Sequence, residues 1–378
     1  MLKIVADNKI PFLEGALEPF ADVTYFPGGE IDNEKLKEAD ALVTRTRTKC
    51  NEATLQCTSV KLITSATIGF DHIDTDWCET HQISWTNAPG CNSESVKQYV
   101  AAILALLVEE QGWQLANKAI AVVGVGNVGS KVSALAQALG MTVYEVDPPR
   151  ARHEGGQRFY QLDDIIDKAD IITFHTPLTK EGDDQTYHLC DRGLLSRMKP
   201  GAVVINSSRG EVINGTALKE AIESKQIGQA VLDVWENEPE IDSDLLDKVW
   251  IATPHIAGYS QDGKAKGTEM SVRAVSRFFK LGIDEWEAQN IPQPEEPEIS
   301  IDCKGLDEDH IIATAILHTY PIKRDDTDLR GDVSQFEYLR GAYPVRREFH
   351  AYEVVLHNGT KALADKMKAI GFREVIVK

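Results

Sequence analysis

A chain of 378 residues, 42% hydrophobic and 26% charged, has the composition of a globular protein with real cores, and its length suits two or three domains; wholesale disorder is excluded. A net charge of −19 excludes general affinity for nucleic acid or an anionic membrane, so any anion site must be built locally from a few converging Arg, Lys and backbone N–H groups. Six scattered cysteines (Cys50, Cys57, Cys78, Cys91, Cys190 and Cys303) form no C-x-x-C pair, which leaves no metal site or disulfide framework to expect.

The chain opens Met1-Leu-Lys-Ile-Val-Ala-Asp7, a strand-like run ending in an acid rather than a signal core. Its longest apolar stretch, residues 100–108, has about half the length a bilayer requires. A cytoplasmic protein with no membrane partner is expected. Apolar runs at 2–6, 41–44 and 61–64 alternate with helix-like segments at 34–39 and 52–57, which predicts an open parallel sheet with helices on its faces. From Asn92 the pattern becomes one long helix. Ser93, Glu94 and Ser95 offer capping and first-turn groups, and the apolar run to Val108 is too continuous for a half-exposed helix, so burial between two domains is expected. Strand candidates then follow at 119–123, 142–146, 171–175, 202–206, 230–233 and 251–253, the number a full dinucleotide-binding domain requires. Past Asp284, Ile291-Pro-Gln-Pro-Glu-Glu-Pro-Glu-Ile299 reads as a stiff exposed linker. The last residues predict a strand at 353–356, a turn at His357-Asn-Gly359, a helix over 360–370 and a strand at 374–377.

Gly124-Val-Gly-Asn-Val-Gly129 follows the strand 119–123 directly, and Val132, Leu135, Ala136 and Leu139 then fall at helical spacing. In such a strand-to-helix turn the first glycine permits the tight bend, the second lets the backbone approach a pyrophosphate, and the third lets helix and strand pack closely. Phosphates rest on the N–H groups at the positive helix end. Asp147 closes the next strand, where an acid binds ribose hydroxyls and repels a 2′-phosphate. The expected cofactor is NAD, bound along Gly124, Gly126, Asn127, Val128, Gly129 and Asp147; Arg150 and Arg152 read as surface arginines.

Oxidising an alcohol beside a carboxylate needs a cation for the carboxylate, a base for the hydroxyl proton, and a group that orients the base. Arg209 follows the strand 202–206, Glu238 follows Val-Leu-Asp-Val-Trp, and His255 follows Ile-Ala-Thr-Pro, all after late strands of the second sheet. A histidine carries either proton state near neutrality, and a carboxylate on its other nitrogen fixes the tautomer. Arginine's planar fork matches a carboxylate.

Asn206-Ser-Ser-Arg-Gly210, Val231-Leu-Asp-Val-Trp-Glu-Asn-Glu-Pro239, Thr253-Pro-His-Ile-Ala-Gly258, Ser65-Ala-Thr-Ile-Gly-Phe-Asp-His-Ile-Asp74 and Ala88-Pro-Gly-Cys-Asn92 resemble signatures of the D-isomer-specific 2-hydroxyacid dehydrogenases. The likeness covers roughly residues 1–280. It implies that Arg209 and Glu238 are active-site residues, that His255 donates and accepts the proton, and that Thr176, Ser207, Ser208, Arg209, Asp233 and Gly258 contact NAD. The α/β fold it implies has a Rossmann-type doubly wound parallel sheet domain (93–255). A smaller flavodoxin-like α/β substrate domain (1–92, completed by about 256–284) precedes it, and a C-terminal α+β domain (299–378) follows a linker (285–298). Within the family, His255-Ile-Ala-Gly-Tyr259, Val146-Asp-Pro-Pro-Arg150, Phe174-His-Thr-Pro177 and the final domain resemble a branch that acts on a small phosphorylated 2-hydroxy acid and forms a homodimer through that domain. That likeness implies substrate contacts at Thr46, Thr67 and Tyr259. Asn214, where the family usually has Asp, can still cap the following helix, and Gln98 stands where an acid is common.

Arg45, Arg47 and Lys49 cluster after the strand 41–44, an apt place for a phosphate clamp, although their alternation could also leave one or two in solvent. Lys323-Arg324 and Arg346-Arg347 either form a solvated face paired with Asp325, Asp326 and Glu348 or reach a partner subunit. Two other functions stay open: a phosphoglycerate dehydrogenase whose last domain is a regulatory amino-acid-binding module, and a non-catalytic NAD-sensing scaffold.

Overall fold

The computed structural model describes residues 1–156 and 158–378. The chain divides into two compact units, Met1–Asn92 with Tyr259–Pro292, and Ser93–Gly258 with Gln293–Lys378.

In the first unit β1 (Lys3–Asp7), β2 (Asp22–Phe26), β3 (Ala41–Thr44), β4 (Leu62–Ser65) and β5 (Ser84–Thr86) form a parallel sheet ordered β2-β1-β3-β4-β5. This is the flavodoxin-like order. Alternate residues of β1 feed opposite faces, as the two-residue period of a strand requires. Ile4 and Ala6 pack with Leu13, Leu17, Val272 and Val275, whereas Val5 packs with Leu36, Leu42 and Leu55. Val272 and Val275 lie on the helix Gln261–Phe279, so the returning chain covers one face of this sheet. The inner strands β3 and β4 are wholly buried and were legible as apolar runs. Edge strands β2 and β5 are half-exposed and carry no such run, which is why the sequence reading passed over them. The two expected helices are short, Asn33–Leu36 and Glu52–Leu55.

In the second unit β6 (Ala119–Val123), β7 (Thr142–Val146), β8 (Ile171–Phe174), β9 (Ala202–Asn206), β10 (Ile227–Leu232) and β11 (Ile251–Ala252) pair in parallel in the order β11-β10-β9-β8-β6-β7. All six were expected, β10 beginning three residues earlier than read. The chain leaves β6 to one side for β7 and then crosses to the other for β8, which makes the carboxyl ends of β6 and β8 the switch point where ligands bind in open α/β sheets.

Helix Ser93–Gln111 is buried from Ser93 to Val108 except at Glu94, and packs between helices Asn127–Ala138 and Glu308–Thr319. Several of its polar groups bond to the C-terminal segment, although Gln98 Oε1 is buried without a partner. Lys97 Nζ donates to Ile370 O at 2.9 Å, Gln98 Nε2 to Arg347 O at 2.9 Å and Thr319 Oγ1 at 3.0 Å, and Ser95 Oγ to Glu348 Oε1 at 3.0 Å. That segment carries a third sheet of β12 (Glu298–Asp302), β13 (Glu353–His357) and β14 (Glu374–Val377), all parallel, with β13 in the middle. It also closes the free edge of the six-stranded sheet. Asp326 Oδ1 accepts from Ala252 N of β11 at 2.7 Å, while Arg330 donates to Leu246 O at 2.6 Å and Val249 O at 2.8 Å. Among the described residues no helix is long and apolar enough to cross a membrane, and all six cysteines are free.

Candidate active site

Because β6 to β11 run parallel, the residues following them converge on one edge of the sheet. Gly124 leaves β6 at φ +85°, and a Cβ there would lie 2.7 Å from His175 O and 2.9 Å from Thr176 Cγ2, so the turn presses on the segment after β8. A Cβ on Gly129 would lie 1.9 Å from Gly124 O, which is the close helix-to-turn packing required of the third glycine. A Cβ on Gly126 meets nothing within 4 Å: its surroundings are open, as an approaching pyrophosphate needs. Asn127 and Val128 begin the helix Asn127–Ala138 with Gly126 as its N-cap. Asp147 accepts from Val125 N at 2.8 Å and from Arg150 N at 3.0 Å, which ties the acid after β7 to the glycine turn. Arg150 is held by Glu154 at 2.6 and 2.9 Å and Arg152 pairs with Asp184, so both arginines already have acid partners. Thr176 Oγ1 and Ser207 Oγ are buried hydroxyls with no hydrogen-bond partner, at the ends of β8 and β9. Orphan hydroxyls of this kind along a sheet's carboxyl edge, beside an open glycine turn, fit a bound dinucleotide.

The candidate reacting groups stand after β9, β10 and β11. Asn206 organises the first loop: its Oδ1 accepts from Ser208 N at 3.1 Å and Ser208 Oγ at 2.8 Å, and its Nδ2 donates to Arg209 O at 2.9 Å. Arg209 Nη1 donates to Ser208 O at 2.8 Å. At Gly210 a Cβ would sit 2.0 Å from both C and O of Trp235, so the arginine loop lies directly on the turn after β10. In that turn Glu238 Oε1 accepts from Trp235 N at 2.9 Å, and Glu238 Oε2 bonds His255 Nδ1 at 2.7 Å. His255 has φ +56°, a left-handed conformation unusual outside glycine and concentrated at functional sites. With Glu238 ionised, Nδ1 carries the hydrogen and Nε2 presents its lone pair. The His255 side chain is one-third exposed, so that lone pair can be reached.

Beneath this pair lies a network the sequence did not disclose. Asp233 is 1% exposed and accepts from Thr253 Oγ1 and Ile256 N at 2.7 Å and from Ala257 N at 3.0 Å, while its own carbonyl accepts from His255 N at 2.7 Å. Burial pushes its carboxyl up against the pull of His255 and these donors. The Thr253 hydroxyl also meets the buried Tyr99 hydroxyl at 2.9 Å. Arg346 corrects the expectation of a solvated or partner-directed pair: it is 4% exposed and Arg347 6%, and Arg346 Nη2 donates to Ala257 O at 2.6 Å. Asp325, Asp326 and Glu348 likewise face protein groups. Lys323 pairs with Glu110, and Arg324 is exposed as read. Asn214 caps its helix, accepting from Ala217 N at 2.9 Å.

In the first unit Arg45 Nε donates to the buried Asp7 at 3.2 Å, and Thr46, Arg47 and Lys49 are exposed beside it. Thr67 Oγ1 lies 2.9 Å from Ser65 Oγ and donates to Gly69 O at 3.1 Å. Tyr259 is half-buried, with Lys264 Nζ 5.2 Å from its ring centroid.

Residues 98–257 match the D-isomer specific 2-hydroxyacid dehydrogenase, NAD binding domain, and residues 291–371 match a domain of unknown function. An erythronate-4-phosphate dehydrogenase of Bacteroides fragilis is 48% identical over 94% of this chain and 99% of its own. That of Proteus mirabilis is 40% identical over 98% and 99%. Among solved structures, D-lactate dehydrogenase from Aquifex aeolicus, complexed with NAD and lactic acid, superposes with a TM-score of 0.61 at 27% identity, over 75% of this chain and 97% of that one. NAD-bound 3-phosphoglycerate dehydrogenase of Entamoeba histolytica shares the fold, with a TM-score of 0.62 at 22% identity over 77% and 99%. A glycine turn open for NAD, a histidine held by a carboxylate, and relatives matching almost end to end place the chain in one family: it belongs to the NAD-dependent D-isomer specific 2-hydroxyacid dehydrogenases.

Proposed function

We propose that the protein oxidises 4-phospho-D-erythronate at C2 with NAD, forming 3-hydroxy-2-oxo-4-phosphooxybutanoate on the way to pyridoxal 5′-phosphate, in the cytoplasm and as a homodimer. The 2.7 Å bond between His255 Nδ1 and Glu238 carries this reading, because it leaves Nε2 as a base after the last strand of the sheet. The substrate is assigned from relatives at 40–48% identity over nearly the whole chain.

Gly124, Gly126, Asn127, Val128 and Gly129 with Asp147, Thr176, Ser207, Ser208, Arg209, Asp233 and Gly258 hold the cofactor. When bound, NAD accepts the hydride leaving C2. Arg209 pairs its guanidinium with the substrate carboxylate and polarises the bond to C2. His255 Nε2 takes the hydroxyl proton, and Glu238 stabilises the imidazolium that forms. Thr46, Thr67 and Tyr259 contact the substrate, and Arg45 and Arg47 meet its phosphate; the Asp7 carboxylate steadies Arg45 from behind. Dimer formation through the last domain is supported by its exposed apolar side chains Tyr338, Val345, Ile376 and Val377, the last two on edge strand β14.

The test is NADH formation with 4-phosphoerythronate, 3-phosphoglycerate, glycerate and lactate compared side by side. A clear preference for 4-phosphoerythronate is expected; preference for 3-phosphoglycerate overturns the substrate, and inactivity on all four supports a non-catalytic scaffold. Sedimentation equilibrium should return twice the chain mass of 41.9 kDa.

A further inference from the structure

The segment 291–371 matches a domain without an assigned function, yet one of its side chains reaches the backbone beside His255. Arg346 Nη2 donates to Ala257 O at 2.6 Å and to Ile256 O at 3.3 Å. Asp233 accepts from the N–H groups of the same two residues, at 2.7 and 3.0 Å. The Ile256–Ala257 peptide is therefore gripped at both poles, its N–H by a buried carboxylate and its C=O by a buried guanidinium; the peptide before it is held at its N–H and the one after it at its C=O. His255 itself has φ +56°, and such a backbone persists only where its surroundings over-determine it.

The charge of Arg346 has its own support within the last domain. The guanidinium lies 4.3 Å from the Tyr320 ring centroid and 5.6 Å from that of Tyr343. Nη1 approaches the Tyr343 hydroxyl at 3.5 Å, and both tyrosine hydroxyls donate to Asp325 at 2.7 Å. A buried cation is thus balanced by a buried acid through the Tyr343 hydroxyl and the Tyr320 ring, and its Nη2 faces the loop after His255.

We infer that Arg346 is a positioning residue for the reaction: it acts through the carbonyls of Ile256 and Ala257 to hold the His255 imidazole on Glu238. The inference rests on the catalytic role proposed above for His255. It assigns the last domain a part in completing the active site of its own chain, in addition to the pairing of subunits. A lysine would supply the charge from one ammonium, without the plane that lies by the Tyr320 ring while Nη2 reaches the two carbonyls and Nη1 the Tyr343 hydroxyl.

The test uses the full-length protein as wild type, R346K and I312A, the last trimming a buried residue of helix Glu308–Thr319 away from the loop. In R346K, kcat is expected to fall about tenfold or more with KM for 4-phosphoerythronate and NADH affinity within about threefold, the signature of a displaced catalytic group. The His255 ring Cε1–H NMR signal, assigned with H255Q, is expected to shift and broaden. I312A should lower the thermal midpoint while keeping kcat within about twofold of wild type. Should R346K not fold, Y343F removes one hydroxyl bridge, keeps the ring, and is expected to lower kcat about threefold with the same change at His255. An unmoved His255 signal, an unchanged kcat, or a kcat loss in I312A equal to that in R346K overturns the inference. Wild-type protein inert on 4-phosphoerythronate would refute the functional reading alone, since the NMR comparison reads the positioning without substrate.

Discussion

Gly210→Ala tests whether the arginine loop and the Glu238 turn work as one fitted surface. The added Cβ would start 2.0 Å from C and O of Trp235 and 2.6 Å from Glu236 N, all backbone atoms that cannot rotate away. Reaching an ordinary 3.4 Å contact requires a separation of about 1.4 Å between the two loops. Misplacement of that size at a reacting centre costs about 100-fold in rate, roughly 2.7 kcal/mol of barrier. Overpacking itself is worth about 1–3 kcal/mol of stability, so the assay belongs well below the thermal midpoint of the variant. Initial rates of NADH formation give kcat/KM, and fluorescence titration gives NADH affinity. The expected result is a loss of about two decades in kcat/KM with a smaller loss of NADH affinity, because the glycine turn stays in place while Ser207, Ser208 and Arg209 move with the loop. A variant that folds and keeps kcat/KM within about threefold of wild type would refute the idea that this contact sets the geometry of Arg209 and Glu238.

Three further outcomes are expected. H255A should lower kcat by about 10²–10⁴ while NADH still binds, and E238Q should lower it less; a near-normal rate in H255A removes the proposed base. At Glu94, burial pushes the carboxyl up, but Lys97 and Lys131 overcome this and hold it at about 2. A depressed folded pKa contributes stability above the unfolded value of about 4.3 that is lost as pH falls through about 2, so the stability gap between wild type and E94Q, at most about 3 kcal/mol, should be flat above about pH 5 and shrink by roughly half near pH 3. Urea unfolding across that range checks it, and a gap constant down to pH 3 contradicts it. D326A leaves Ala252 N–H and Arg330 Nε without their acceptor and should cost about 1–3 kcal/mol, read as a lower urea midpoint with unchanged slope. An unmoved midpoint would show that the edge of β11 needs no cover.

What could be read from sequence followed from local physics. β3, β4, β6, β8 and β9 announce themselves because buried parallel strands are continuous apolar runs. The glycine turn and the Arg209, Glu238 and His255 loops were legible because each ends such a strand, and His255 and Glu238 do meet. Edge strands β2 and β5 were missed because half of their surface is exposed. Arg346 was misread for a different reason: Arg346-Arg-Glu348 looks like solvated charge, and only the fold supplies the Ile256 and Ala257 carbonyls, Tyr320 and Asp325 around it. Asp233 sat inside a recognised motif, but its backbone donors 23 and 24 residues onward leave no local pattern.

The span of these bonds carries a consequence in time. The edge strand β11 waits for Asp326, 74 residues later, and Ile256 waits for Arg346, 90 residues later. At about 5–20 residues per second, a ribosome needs roughly 5–18 s to supply that arginine after the histidine has emerged. For those seconds the nascent polypeptide carries a complete dinucleotide fingerprint, while the Ile256 and Ala257 carbonyls still lack the guanidinium that will donate to them.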